Sequence, residues 1–227
     1  MTRSTESTRW DPDGILQLES GARGLGRAYS QMSLSQEAAS WLSPPAVQLS
    51  PSPQPGDKAP SCPELPLPAD NNRPTIVSFL RHCGCPVAEA TFLELRTAAE
   101  THPQINFVAV SHSDKPSTEK WLESIGGTGD SSSNPVTVIV DAERKIYAQW
   151  GLGVTSWGHV LSPAGLLAIG KLGWERGIWN RPTESGSRWQ LSGNWAVDAE
   201  GGVRWGGPVK RADELIDIEQ AIYSIKA

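Results

Sequence analysis

Cysteine is scarce in the 227-residue sequence: only Cys62, Cys83 and Cys85 are present. So few, and an odd number, exclude a disulfide framework and favour a reducing compartment. Long apolar runs are missing too, since stretches such as Ala164–Ile169 fall far short of the ~20 residues that span a bilayer. The opening Met1-Thr2-Arg3-Ser4 leads into polar sequence, so no secretory leader and no membrane partner are expected. Basic excess is absent: 20 Lys and Arg against 25 Asp and Glu give a net charge of −5, which argues against nucleic-acid binding. The four histidines, His82, His102, His112 and His159, lack metal-ligand spacing, and His82 with Cys83 and Cys85 has no fourth ligand. The glycines of Gly21–Gly26 and Gly151–Gly153 lack the strand–turn–helix setting of a dinucleotide fingerprint. No metal and no cofactor are expected, and the composition suits a soluble, cytoplasmic protein.

Proline is plentiful and uneven. Of 18 prolines, nine lie between Pro44 and Pro68, a composition that favours extended chain without ladder hydrogen bonds. Residues 1–53 are read as a Pro-rich tail with one short helix at Ser33–Leu42, and residues 54–227 as the folded domain. From Arg73 the pattern changes. Thr75–Leu80, Ile105–Val110 and Pro135–Val140 are short β-branched runs of the buried-strand kind. Helical patterns separate them. One follows Cys85-Pro86 as far as Thr101-His102-Pro103, and another is capped by Asp114 and runs to about Ile125. Asp141 either caps a short helix that places Ile146 and Trp150 on one face or opens a hairpin, and the i, i+4 spacing favours the helix. A helix from Ser162-Pro163 to about Leu172, a hairpin from Asn194 to Trp205 and a helix from Asp213 to Ile225 complete the chain. This order predicts a three-layer α/β/α domain.

The segment Arg81-His82-Cys83-Gly84-Cys85-Pro86 is the one that promises chemistry. A cysteine at a strand-to-helix junction meets unpaired amides and the positive end of the helix dipole. Both favour thiolate, the reactive form of the thiol. Cys85 is therefore the candidate nucleophile, with Arg81 or His82 adding positive charge. Cys83, at the strand end, reads as a packing residue or as a resolving thiol. If Cys83-Gly84-Cys85 were extended, its Cα separation would approach the upper end of the ~4.4–6.8 Å range of disulfides.

This segment resembles the fungal branch of the peroxiredoxin-like proteins in the alkyl hydroperoxide reductase/thiol-specific antioxidant family. Pro55-Gly56-Asp57-Lys58-Ala59-Pro60 is similar to a lead-in of the same group, and so is the block from Gly177 to Gln190. The resemblance implies a thioredoxin-like fold and peroxide reduction through a single cysteine nucleophile. It also implies an external thiol reductant, and a homodimer is among the assemblies it allows. Ala88 stands where a Cys-x-x-Cys partner would be. His82 replaces the threonine of Thr-x-x-Cys, and no proline precedes the final hairpin, where Gly193 or a neighbour takes its place.

Seven of the ten tryptophans fall between Trp150 and Trp205. With Arg176 nearby, Trp179, Arg181, Arg188, Trp189 and Gly193 suggest a second reading: a pocket for an aromatic or acidic metabolite in an accessory protein of secondary metabolism. The alternative is that the tryptophans build the core.

Overall fold

The computed structural model describes residues 38–129, 134–155, 163–182 and 185–226. Its elements are β1 (Thr75–Phe79), α1 (Pro86–Thr101), β2 (Asn106–Ser111), α2 (Lys115–Ser124), β3 (Thr137–Val140) and α3 (Lys145–Gln149). They continue with α4 (Pro163–Arg176), β4 (Gly193–Val197), β5 (Val203–Pro208) and α5 (Ile218–Ser224). The five strands lie in the order β3-β2-β1-β4-β5. β1, β2 and β3 are parallel, and β4 and β5 are antiparallel. That is the mixed sheet of a thioredoxin-like α/β fold.

β1 is central and buried throughout, which explains its unbroken run Thr75-Ile76-Val77-Ser78-Phe79. Its alternate side chains enter two cores. Ile76, with Phe107, Ala109 and Ala196, meets α1 and α5 through Phe92, Leu95 and Ile222. Val77 and Phe79, with Val108 and Val110, meet α3 through Ile146, Tyr147 and Trp150. The Phe79 ring lies 5.0 Å from Tyr147, 5.2 Å from Trp150 and 5.5 Å from Trp195. Trp150 and Trp195 are 4.9 Å apart, and Trp121 meets Phe92 at 5.3 Å. Many of the tryptophans thus build the core.

The expected caps are in place. Asp114 accepts a hydrogen bond from the amide of Ser117, with Pro116 in the first turn of α2. The Asp141 carboxylate accepts from the amides of Lys145, Ile146 and Tyr147, so the segment after β3 is the helix and not the hairpin. The last helix is shorter than its apolar periodicity predicts. Asp217 takes the amide of Gln220 and starts α5 there, while Leu215 still packs on the core from outside the helix. α4 runs four residues past Leu172, to Arg176. The expected Ser33–Leu42 helix is described only from residue 38, where residues 38–40 are helical.

Residues 38–53, which the proline count assigns to the tail, bond to the domain repeatedly. The Arg188 amide and Nε donate to the Ser40 carbonyl and hydroxyl, at 3.2 and 3.0 Å. The Trp189 indole donates to the Trp41 carbonyl and the Trp195 indole to the Pro53 carbonyl. Arg144 reaches the Pro45 carbonyl, and the Ser50 amide reaches the Ala148 carbonyl. A chain beginning at residue 54 should therefore be less stable than one beginning at residue 36, by roughly 3 kcal/mol or more at ~0.5–1.5 kcal/mol per bond. Urea unfolding of the two chains measures the difference. Equal midpoints would refute it.

Candidate active site

The site lies where β1 ends and α1 begins, at the C-terminal edge of the parallel strands. Pro86 opens α1 at a position whose missing amide costs nothing, and Cys85 is the N-cap residue. Between the strand and the helix the chain makes a tight turn: the Cys85 amide donates to the His82 carbonyl at 3.1 Å, with Gly84 at φ +102°. The stretch Cys83-Gly84-Cys85 is therefore curled and not extended, a conformation that glycine permits. Both thiols are free, at 5% and 2% exposure for Cys83 and Cys85.

The two sulfurs sit in different surroundings. The Val87 and Ala88 amides, in the first turn of α1, have no acceptor within the helix and flank the Cys85 position. Glu89 donates its own amide to the Cys85 carbonyl at 3.1 Å. Cys83 instead faces a nest of hydroxyls. Its Sγ lies 3.6 Å from Ser111 Oγ and 3.8 Å from Thr118 Oγ1, and its amide donates to Ser113 Oγ at 3.1 Å. Ser111 and Thr118 are themselves 3.0 Å apart. Burial pushes the Cys83 thiol pKa up, and the hydroxyls around it offset this only in part.

His82 and Arg81 are both buried. His82 is fully buried and neither ring nitrogen has a hydrogen-bond partner among the described residues. Burial, then the charges of Arg81 and Arg188, hold its pKa well below the usual histidine range. A neutral His82 brings no positive charge to either thiol. The Arg81 guanidinium is committed to two backbone carbonyls, of Arg188 at 3.0 Å and Ala212 at 3.2 Å.

The tryptophan and arginine segment divides among separate contacts. Arg188 stacks on the Trp41 ring at 4.8 Å, and Trp189 meets the same ring edge-on at 6.0 Å. Trp179 lies against Gly173 on α4 and is 57% exposed. Gly193 is packed beneath the Trp195 ring. Arg181 reaches the cysteine turn. Its amide donates to the Gly84 carbonyl at 2.9 Å, and its guanidinium forms a two-point pair with buried Glu89 at 2.9 and 3.0 Å.

Ser111, Ser113, Thr118 and Glu89 were not singled out from the sequence. Ser111 ends β2 and His112-Ser113 follow it, where open α/β sheets gather their sites, and Glu89 stands four residues after Cys85 on a helix. Those positions were the available signals.

A family model described as AhpC/TSA antioxidant enzyme matches residues 94–209, a span that starts after both cysteines. Among solved structures, the chain is similar to a peroxiredoxin-like protein from Aquifex aeolicus, at 15% identity and TM-score 0.49, covering 81% of this chain and 97% of that one. It is similar to a thiol peroxidase from Chromobacterium violaceum at 13% identity and TM-score 0.48, with 80% and 98% covered. For a peroxiredoxin 6 mutant of Arenicola marina the values are 12% identity, TM-score 0.44, and 66% and 58% covered. No curated protein matches by sequence.

The buried histidines carry a pH signature. The His112 pKa is held down to about 4, mainly by burial, and that of His82 also lies well below the ordinary histidine value of 6.5. Protons then bind the unfolded chain first, so stability is present above pH ~6.5 and is lost as the pH falls from there towards 4. Replacing His82 by phenylalanine should flatten that loss, as read from urea unfolding at a series of pH values. An unchanged slope would mean that His82 is not held neutral in the fold.

Proposed function

Because the chain belongs to the AhpC/TSA antioxidant enzyme family, we propose that it is a thiol-dependent peroxidase in which Cys85 attacks and Cys83 resolves. The observation that carries this reading is the position of Cys85 as N-cap of α1, beside the Val87 and Ala88 amides, which have no acceptor within the helix. Those amides, with the helix dipole, suit the negative charge that develops on the peroxide oxygens. The Cys85 thiolate takes the terminal oxygen of a hydroperoxide, the O–O bond breaks, and the alkoxide or hydroxide that leaves picks up a proton. Cys85 is then a sulfenic acid. The thiol of Cys83 attacks its sulfur, the S–O bond breaks, and the thiol proton leaves with the hydroxyl as water. The Cys83–Cys85 disulfide that results is returned to two thiols by an external thiol reductant.

Cys83 suits the second role because burial keeps it protonated and unreactive until Cys85 is oxidised. Ser111 and Thr118 hold it within the turn as hydrogen-bond partners of its sulfur. This assignment replaces the missing thiol at Ala88 with one two residues upstream of Cys85. A reducing compartment such as the cytoplasm fits this cycle.

Peroxide titration of the full chain tests the assignment. Wild-type protein should consume one peroxide per chain and lose two hydrogens from the peptide that holds Cys83 and Cys85. C85S should consume none. C83S should consume the first peroxide and keep an added oxygen on Cys85. Retention of peroxide consumption by C85S would overturn the assignment of the nucleophile.

A further inference from the structure

Residues 177–182 follow α4, and Arg181 and Pro182 lie against the cysteine turn, where two contacts of Arg181 hold them. At the end of α4, Arg176 pairs with Glu94 of α1 at 2.9 Å on the surface. The Arg181 amide bonds to the Gly84 carbonyl. The Arg181 guanidinium grips both oxygens of Glu89, whose side chain is 7% exposed while that of Arg181 is 41% exposed. The approach is close enough that a Cβ on Gly84 would stand 2.9 Å from the Arg181 carbonyl oxygen and 3.0 Å from that of Pro182. Gly84 lies between two thiols that are almost without exposure.

We infer that residues 177–182 are a strap that must lift before oxidant or reductant reaches the thiols, and that the Arg181–Glu89 pair is its latch. The pair is suited to that task. It is two-pronged and charge-assisted, so it fixes the strap in one place. Its arginine already faces water on one side, so release leaves that charge solvated, whereas the surface pair of Arg176 with Glu94 contributes little. Gly177, at φ +68° immediately after α4, provides a pivot. The inference rests on reading Cys85 and Cys83 as the reacting thiols, but its test involves no peroxide. Failure of the strap therefore leaves the peroxidase reading intact, and failure of peroxide turnover leaves the strap intact.

The experiment is iodoacetamide labelling of the native full chain, with each cysteine quantified by peptide mass. Cys62, outside the strap and partly exposed, is the internal reference. R181M and the double variant E89M/R181M are compared with wild type, the second because it leaves no unpaired buried carboxylate. Labelling of Cys83 and Cys85 should rise by about tenfold in both variants, the effect of removing a restraint of roughly 1.4 kcal/mol on the open state, while Cys62 stays at its wild-type rate. Unchanged labelling of Cys83 and Cys85 overturns the inference. An equal rise at all three cysteines also overturns it, since the pair would then hold the whole domain and not the strap.

Discussion

Gly84 is the position on which the thiol end of the molecule depends. Its φ of +102° lets the chain reverse between β1 and α1 within a single turn, closed by the Cys85 amide on the His82 carbonyl. The same residue leaves room for the backbone of Arg181 and Pro182 to lie against it. A side chain here would meet two obstacles together: a left-handed backbone that L-residues disfavour, and two carbonyl oxygens inside contact distance. Three features follow from this one glycine. Cys85 is set at the helix start, Cys83 is turned towards β2 and α2, and the strap can close over both.

The rest of the domain holds that turn still. β1 is buried on both faces, and Phe79, its last residue, is wedged among Tyr147, Trp150 and Trp195. The Tyr147 hydroxyl lies 2.6 Å from the Leu80 carbonyl and 2.7 Å from the Val110 carbonyl, joining the ends of β1 and β2 just before the site. The stretch 38–53 braces the same face by way of the Trp195 indole and Arg144. The reactive turn thus springs from a rigid strand end, and the residues that cover it come from a loop. Such a division suits a site that must be both precise and accessible.

Much of this was legible in the sequence, because much of it is periodicity and capping. The three β-branched runs became β1, β2 and β3, and Asp114 and Asp141 act at helix starts as their positions suggested. The junction at Cys85 was legible for the same reason, since Pro86 marks a first helical turn. What the sequence concealed is long-range. Nothing near Cys83 in the chain announces Ser111 or Thr118, which arrive because β2 lies beside β1. Nothing near Glu89 announces Arg181, 92 residues away. His82 misled, since a histidine beside a cysteine suggests charge, whereas burial among Arg81, Arg188 and His112 holds it neutral. Arg188 and Trp189, which composition groups with a ligand pocket, contact Ser40 and Trp41.

The hydroxyl nest around Cys83 has a mechanical side. Cys85 is fastened to α1, because its carbonyl accepts the Glu89 amide, whereas Cys83 is fastened to β2 and α2 through Ser111, Ser113 and Thr118. The two sulfurs are two residues apart in the chain yet anchored to different load-bearing parts. A covalent bond between them would act as a tie-rod from helix to sheet, drawing Cys83 off its hydroxyls or the first turn of α1 off its axis. Glu89 is in that first turn, so the tension of the bond would reach Arg181. Oxidation at the sulfurs would in this way be transmitted as a pull to the surface above them.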